Sequence, residues 1–412
     1  TGKEILEVVC GAPNARAGMK GIFAPNGSYI PGIDLTLKTT KIRGVTSNGM
    51  MLSEREIGIS DEHDGIIEVK SNAKIGSSAA EALSLMDPII DIAITPNRGD
   101  CLGIYGIARD LAAAGVGILA QLKIPKVKEC FESPIKVTLE FDKKCEDACP
   151  IFVGRYFKGV KNGESPKWLK DKLLAIGLRP ISALVDITNY STIALNRPLH
   201  VFDADKIEGH IHIRMAQNGE KMLALDGKEY TLEEGMTVIA DDKNIEALAG
   251  VMGGENSGVS ASTVNVMLET AYFNPSRTAM TGRKLNLTSD ARFRFERGVD
   301  PAFLKDGTDI ASQMILDLCG GEASKLIKVG SEPSWQKKYF LRNNRVESLG
   351  GVKVSPDRTQ EILEILGFKV TKTKGGWDVS VPSWRYDVAG EADLVEEVLR
   401  INGFDTIPTI PL

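Results

Sequence analysis

Val266-Met267-Leu268-Glu269 ends an apolar, strand-like run on a carboxylate. A charge there is costly unless it is paired or used, and the central part of the chain is read outward from it. Upstream, Asp186, Thr188, Asn189 and Tyr190 fall in one short run, and Pro198-Leu199-His200-Val201-Phe202-Asp203 follows. A glycine cluster, Gly250-Val251-Met252-Gly253-Gly254-Glu255, precedes Val266, and Ser289-Asp290-Ala291-Arg292-Phe293-Arg294-Phe295-Glu296-Arg297-Gly298 comes after it. Glycines let backbone N–H groups approach a ligand closely. Together these runs sketch a pocket holding a histidine, a glutamate and exposed backbone donors. Taken alone, His200 reads more readily as a satisfied core histidine. No GxSxG elbow, Walker loop or GxGxxG follows a strand, so serine-hydrolase, P-loop and Rossmann readings lack support.

Around this centre the period of the sequence changes several times. Residues 1–75 carry short β-type runs broken by turns such as Pro25-Asn26-Gly27-Ser28 and Ser47-Asn48-Gly49, which predicts a small barrel. Ser77–Leu83 reads as a short helix and Ile89–Ile94 as a strand. Asp100 is placed to cap a helix over Cys101–Ala114, with Arg109 on its polar side. Residues 115–135 look like a connector. The stretch 135–330 is α+β, with Trp168–Leu178 amphipathic, Ile211–Met215 alternating, a turn at Asp226-Gly227 and a strand at Thr237–Ala240. In 335–408, Ser355-Pro356-Asp357 opens a helix that Gly367 stops; a hairpin turns at Lys374-Gly375-Gly376, and a helix covers Glu391–Asn402.

The chain has 412 residues, 25% charged and 42% hydrophobic, which excludes a collagen, a disordered tail or a disulfide-stapled miniprotein and predicts several domains. No apolar run approaches the roughly 20 residues that span a bilayer, so no membrane partner is expected. Net charge is −5, the wrong sign for a dedicated DNA binder. Residues 1–50 nevertheless carry six basic groups (Lys3, Arg16, Lys20, Lys38, Lys41, Arg43) against three acidic ones (Glu4, Glu7, Asp34). That excess suits a groove tracking an RNA backbone or, more plainly, a solvated face. The six cysteines form no CxxC pair; zinc-ligand spacing is absent, and free thiols in a reducing cytosol are expected.

Asp393, Glu396 and Glu397 stand at i, i+3 and i+4 on the last helix, with Asp387 just upstream. Like charges so placed call for a hard cation such as Mg²⁺, or else Asp393 complements the helix N-terminus while the glutamates face water.

Val9–Asn14, Val45–Ser53 with Glu56–Ile59, Thr95–Leu102, Val185–Tyr190, Pro198–Asp203, Gly250–Glu255, Phe295–Pro301, Pro382–Asp387 and Asp393–Glu397 resemble, in order, segments of bacterial phenylalanyl-tRNA synthetase beta subunits. The resemblance implies a multidomain α+β chain. Its parts are a partial OB-type tRNA-binding β-barrel at 1–78 lacking its first strands, an αβ connector at 79–125, an α+β editing module at 126–330 and a small helix–hairpin–helix domain at 335–410 contacting an alpha subunit. It implies a chain cut short at both ends relative to the family. The implied partners are tRNA(Phe) and the alpha subunit, in an (αβ)₂ assembly in the cytoplasm. The alpha subunit joins phenylalanine to tRNA with ATP and Mg²⁺, and this chain hydrolyses mischarged Tyr-tRNA(Phe).

Carried over position by position, Glu269 matches the editing carboxylate that accepts the tyrosine hydroxyl, and His200 the histidine near the ester. Thr188, Asn189 and Gly253 line the pocket, Ser289 and Ala291 flank it, and Asp387, Asp393, Glu396 and Glu397 match Mg²⁺ ligands shared with the alpha subunit. A non-catalytic tRNA-binding scaffold and a free-standing deacylase are the alternatives.

Overall fold

The computed structural model describes residues 1–60, 62–69, 72–83 and 85–409. Contacts divide the chain into two compact units, Thr1–Asp91 and Ile92–Leu412, so the boundary falls inside the stretch expected as connector. Ile410, the last residue of the expected final domain, lies outside the described residues.

The first unit is built from very short strands. Phe23–Pro25 pairs with Gly49–Met51, Tyr29–Ile30 with Leu35–Thr36, and Thr40–Ile42 with Val45–Ser47, all antiparallel. Ile22, Ala24, Ile30, Leu37, Leu52, Ile67 and Val69 form its core. Among the described residues these ladders do not join into a closed barrel. Ser78 caps the helix Ala79–Ala82 by accepting from the Glu81 N–H at 3.2 Å. The strand expected at Ile89–Ile94 does not form: Ile89, Ile90 and Ile92 are exposed and pair with no strand.

In the second unit, a six-stranded sheet runs in the order His200–Asp203, Val266–Tyr272, Ile151–Lys158, Glu322–Ser324, Glu129–Phe131, with Ile327–Gly330 also paired to Ile151–Lys158. A five-stranded sheet follows the order Met252–Gly253, Ile245–Leu248, Thr237–Ala240, Ile211–Met215, Val137–Glu140. Side chains alternate across a strand, and both faces of Val266–Tyr272 are used. Val266 and Leu268 pack with Leu184, Ile187, Ala311 and Ile315 of the helices Ala183–Leu195 and Leu304–Cys319. Met267 and Ala271 pack with Ile211, Ile213, Ile239 and Ala247 of the other sheet. The result is a helix layer and two sheets, with Glu269 falling on the inter-sheet face.

After 335 the expected hairpin and two expected helices form, joined by a strand Lys338–Arg342 and a helix Arg345–Gly350 that the sequence reading did not contain. Lys338–Arg342, Gly376–Ser380 and Lys369–Thr373 form an antiparallel sheet in that order. Ser355 caps Pro356–Ile365 by accepting from the Arg358 N–H, and Glu391–Asn402 is helical over the expected span. Its core holds Trp377, Ile362, Leu363, Leu394 and Val398, with Ala113 of the helix Ile104–Ala113 packed in.

Asp100 is not a helix cap. A 3-10 turn covers Gly99–Leu102, and Gly103 is the N-cap of Ile104–Ala113. The Asp100 carboxylate is instead held by Arg98, through Nε at 2.9 Å and Nη2 at 3.0 Å. Arg109 turns inward, its guanidinium 4.0 Å from the Trp384 ring and 3.7 Å from Asp100. A buried aspartate next to an arginine fork gains more from that pair than from capping. No helix of the described residues is long and apolar enough to cross a membrane.

Candidate active site

A cleft of about 580 Å³ opens on the inter-sheet side of the edge strand His200–Asp203. All seven residues singled out for this pocket line it: Thr188, Asn189, His200, Gly253, Glu269, Ser289 and Ala291. Val185, Thr188, Asn189 and Thr192 also line it, at the i, i+3, i+4, i+7 spacing of one helix face.

His200 and Glu269 are direct register partners in the antiparallel pair, so their side chains leave the same face. Glu269 is only 6% exposed. Its carboxylate meets no hydrogen-bond donor among the described residues. Burial raises its pKa to about 7, against the pull of the Arg197 charge. His200 stands edge-on to Phe202, ring centroids 4.5 Å apart. Part of the ring opens to the cleft, yet Nε2 is buried and unpartnered; burial lowers the imidazole pKa to about 4, so it is neutral at pH 7.

Gly253 is fixed by that ring. A Cβ on Gly253 would lie 2.5 Å from His200 Cε1 and 2.7 Å from Nε2. The Ser289 hydroxyl donates to the Val251 carbonyl at 2.5 Å and accepts from the Arg292 N–H at 3.0 Å. It thereby caps Asp290–Phe295 and ties that helix to the glycine segment. The Thr188 hydroxyl donates to the Val185 carbonyl at 2.7 Å, which leaves it only an acceptor toward the cleft.

Asp387 and the helix carboxylates Asp393, Glu396 and Glu397 do not form a ligand-type cluster among the described residues. Asp387 is held by Arg385 through two bonds of 2.8 Å. Glu397 accepts from Arg385 Nη1 at 2.6 Å and Arg400 Nη2 at 2.7 Å. Burial pushes the Glu397 carboxyl up, but those two arginines more than offset it and leave it at about 2. Asp393 accepts from the Ala389 N–H at 2.8 Å, and Glu396 is exposed. Asp387 and Glu397 are thus paired with arginines in this chain, whereas Asp393 and Glu396 have no arginine partner among the described residues. Among the described residues, the ligand-type group that comes together is Asp100, Cys101 and Asp110. Arg98 and Arg400 hold both its carboxylates.

Sequence reasoning missed this arginine network and also Arg197, which is wholly buried, its three guanidinium nitrogens without a hydrogen-bond partner. The only local hint is its place beside Pro198, at the start of the His200 run.

Residues 148–320 match the B3/4 domain family, 339–404 the tRNA synthetase B5 domain and 1–78 a putative tRNA binding domain. Among curated proteins, the chain is similar to the phenylalanine–tRNA ligase beta subunit of Paramagnetospirillum magneticum, 57% identical over 412 residues, which are 100% of this chain and 52% of that protein. It is 52% identical over 411 residues to the same subunit of Mesorhizobium japonicum, covering 100% of this chain and 51% of that one. Among solved structures, an N-terminal fragment of the Pyrococcus horikoshii phenylalanyl-tRNA synthetase beta subunit matches at 19% identity and TM-score 0.39, covering 75% of this chain and 85% of that one. The three matches set a B3/4 module between a putative tRNA binding module and a tRNA synthetase B5 module. Over its whole length the chain is similar to phenylalanine–tRNA ligase beta subunits. It spans about half the length of the curated relatives it matches.

Proposed function

We propose that this chain binds tRNA(Phe) and hydrolyses Tyr-tRNA(Phe) at the Glu269–His200 cleft, as part of a phenylalanine–tRNA ligase whose alpha subunit joins phenylalanine to tRNA with ATP. The carrying observation is the in-register placing of Glu269 and His200 in a cleft of about 580 Å³. A phenol O–H donating to the Glu269 carboxylate satisfies a buried group that phenylalanine leaves unpaired. A site built to bond such a hydroxyl discriminates by roughly four to five decades. Selection by the ring alone at the synthetic site does not reject an isostere with one added OH.

The reaction asks little of a base. An aminoacyl ester is already activated, and holding a water against it in near-attack geometry supplies much of the rate. His200, neutral at pH 7 with Nε2 unpartnered, is suited to orient that water or the terminal ribose. Thr188 and Asn189 form the helix wall, Gly253 leaves room for the imidazole, and Ser289 and Ala291 close the far side.

The proposed division is a partial tRNA-binding OB-type barrel at 1–78, a connector at 79–125, the editing module at 126–330 and the small domain at 335–410, acting in the cytoplasm in an (αβ)₂ assembly. Asp387, Asp393, Glu396 and Glu397 would give Mg²⁺ oxygen ligands in a site shared with the alpha subunit, the first and last of them exchanging an arginine bond for the ion. The deciding experiment measures Tyr-tRNA(Phe) deacylation by the 412-residue chain, alone and with the alpha subunit. Hydrolysis in either case supports the cleft; none in both overturns it. Isothermal titration with Mg²⁺ in the same two states tests sharing, and equal weak binding counts against it.

A further inference from the structure

One short turn is bonded to both helices that frame the cleft. Val185, Thr188, Asn189 and Thr192 of the helix Ala183–Leu195 line one wall, and Asp290, Ala291 and Phe295 of the helix Asp290–Phe295 line another. Asn196 takes the left-handed conformation (φ 54°) that ends the first helix, and its side chain donates to the Gly99 carbonyl at 2.9 Å. Arg294, in the second helix, donates from Nη2 to the Leu102 carbonyl at 3.0 Å. Gly99 and Leu102 are the two ends of a single 3-10 turn. Both donors are buried, so water does not compete for either bond.

The turn is seated without slack on both sides. A Cβ on Gly103, the next residue, would lie 2.5 Å from the Asn196 backbone nitrogen, and one on Gly99 would lie 2.7 Å from the Arg297 carbonyl oxygen. Only glycine lets two backbones come so close. The turn is also braced from behind. Arg98 holds Asp100 within it and reaches Asp110 of the helix Ile104–Ala113 through two bonds of 3.0 Å. Asp110 accepts in addition from Arg400 Nη1 at 2.8 Å, which ties the turn to the helix Glu391–Asn402. Arg294 is fixed in the same way: Nη1 donates to the Asp290 carbonyl at 2.9 Å and to its carboxylate at 2.7 Å. Its guanidinium therefore spans its own helix and the turn.

We propose that this turn is a clasp that sets the spacing of the cleft walls, with Asn196 and Arg294 as its positioning residues. The inference rests on the editing reading of that cleft. Neither residue lines the cleft. Each acts on the substrate through the helix it holds, Asn196 through Thr188 and Asn189, Arg294 through Ala291. The gap between these walls decides where a tyrosyl ester sits relative to His200, and near-attack geometry tolerates little drift.

The test is amide hydrogen exchange, read by mass spectrometry on the 412-residue chain under conditions where thermal melts show every variant folded. Asn196→Gly keeps the left-handed backbone and removes the bond to Gly99; Arg294→Met removes the bond to Leu102. A clasp carries each loss to the opposite wall. Asn196→Gly speeds exchange several-fold in 290–297, and Arg294→Met does so in 185–195, while the strand Val137–Glu140 at the edge of the five-stranded sheet is unchanged. In Tyr-tRNA(Phe) deacylation both variants lose about 10- to 100-fold in kcat with KM little changed. Exchange that speeds only on the mutated side, or equally in Val137–Glu140, overturns the clasp, as does an unaffected kcat in a chain that hydrolyses the ester. Should Arg294→Met not fold, Asn196→Gly alone decides. Exchange that crosses the cleft in a chain with no Tyr-tRNA hydrolysis supports the clasp and overturns the editing reading alone.

Discussion

Glu269 and His200 stand opposite one another across the antiparallel strand pair, on the face of the six-stranded sheet that looks toward the second sheet. One is an acid raised to about 7 and the other a base lowered to about 4, both by burial. Two neighbours with those displaced values present a carboxylate acceptor and a neutral imidazole together near neutral pH.

Glu269→Ala is expected to remove most of the preference for tyrosyl over phenylalanyl ester, a loss of about 100-fold or more. Parallel deacylation assays on Tyr- and Phe-charged tRNA(Phe) measure it. In the wild type the tyrosyl rate climbs as pH rises through about 7 and Glu269 ionises; in Glu269→Gln that step vanishes. A preserved ratio and a preserved step would falsify the assignment.

His200→Ala is expected to slow deacylation while the variant gains stability at acid pH. A buried imidazole lowered from 6.5 to about 4 lets the unfolded chain take up the proton first, so stability falls as pH drops from 6.5 toward 4. Glu269 acts in the opposite direction: raised from 4.5 to about 7, it favours the folded chain below 4.5, and that contribution is lost as pH rises through 7. Urea melts at pH 4.5, 6 and 8 separate the two. His200→Ala should flatten the acid limb and Glu269→Gln the neutral one.

Gly253→Ala places a methyl 2.5 Å from His200 Cε1. The ring has to move, and a displacement near 1 Å costs on the order of 100-fold in rate. The loss should fall on kcat with KM little changed; an unaffected kcat means the imidazole takes no part in the reaction.

Arg385→Ala leaves Asp387 and the buried Glu397 each without a main partner. Removing one member of a buried pair costs about 3–5 kcal/mol, which a thermal melt resolves. Glu396→Gln, at an exposed site, should change stability by less than about 0.5 kcal/mol. Similar losses in both variants would mean that the arginine pairs do not brace the helix.

The parts legible in the sequence were those governed by neighbours along the chain. The helix Glu391–Asn402, the Ser355 cap, the strand Thr237–Ala240 and the turn at Asp226-Gly227 all appear where period and turn chemistry put them. The same local signals failed at Ile89–Ile94, an apolar run with no strand to pair with, and at Asp100, where the Arg98 fork replaces a cap. Residue types at the pocket were readable too, because a carboxylate ending an apolar run and a glycine cluster are each odd on their own terms.

By itself the sequence determined many of the local elements and the identity of the groups gathered at the cleft, since these follow from local propensity and side-chain chemistry. Tertiary structure alone decided which face Glu269 takes. Val266, Met267 and Leu268 are apolar on both sides of the strand, so alternation cannot tell core from cleft until two sheets and a helix layer close around it. It alone buried Arg197 and turned Arg385 and Arg400 onto Glu397. Long-range pairing of charges depends on which surfaces meet in the folded chain, and no periodicity along the sequence carries that information.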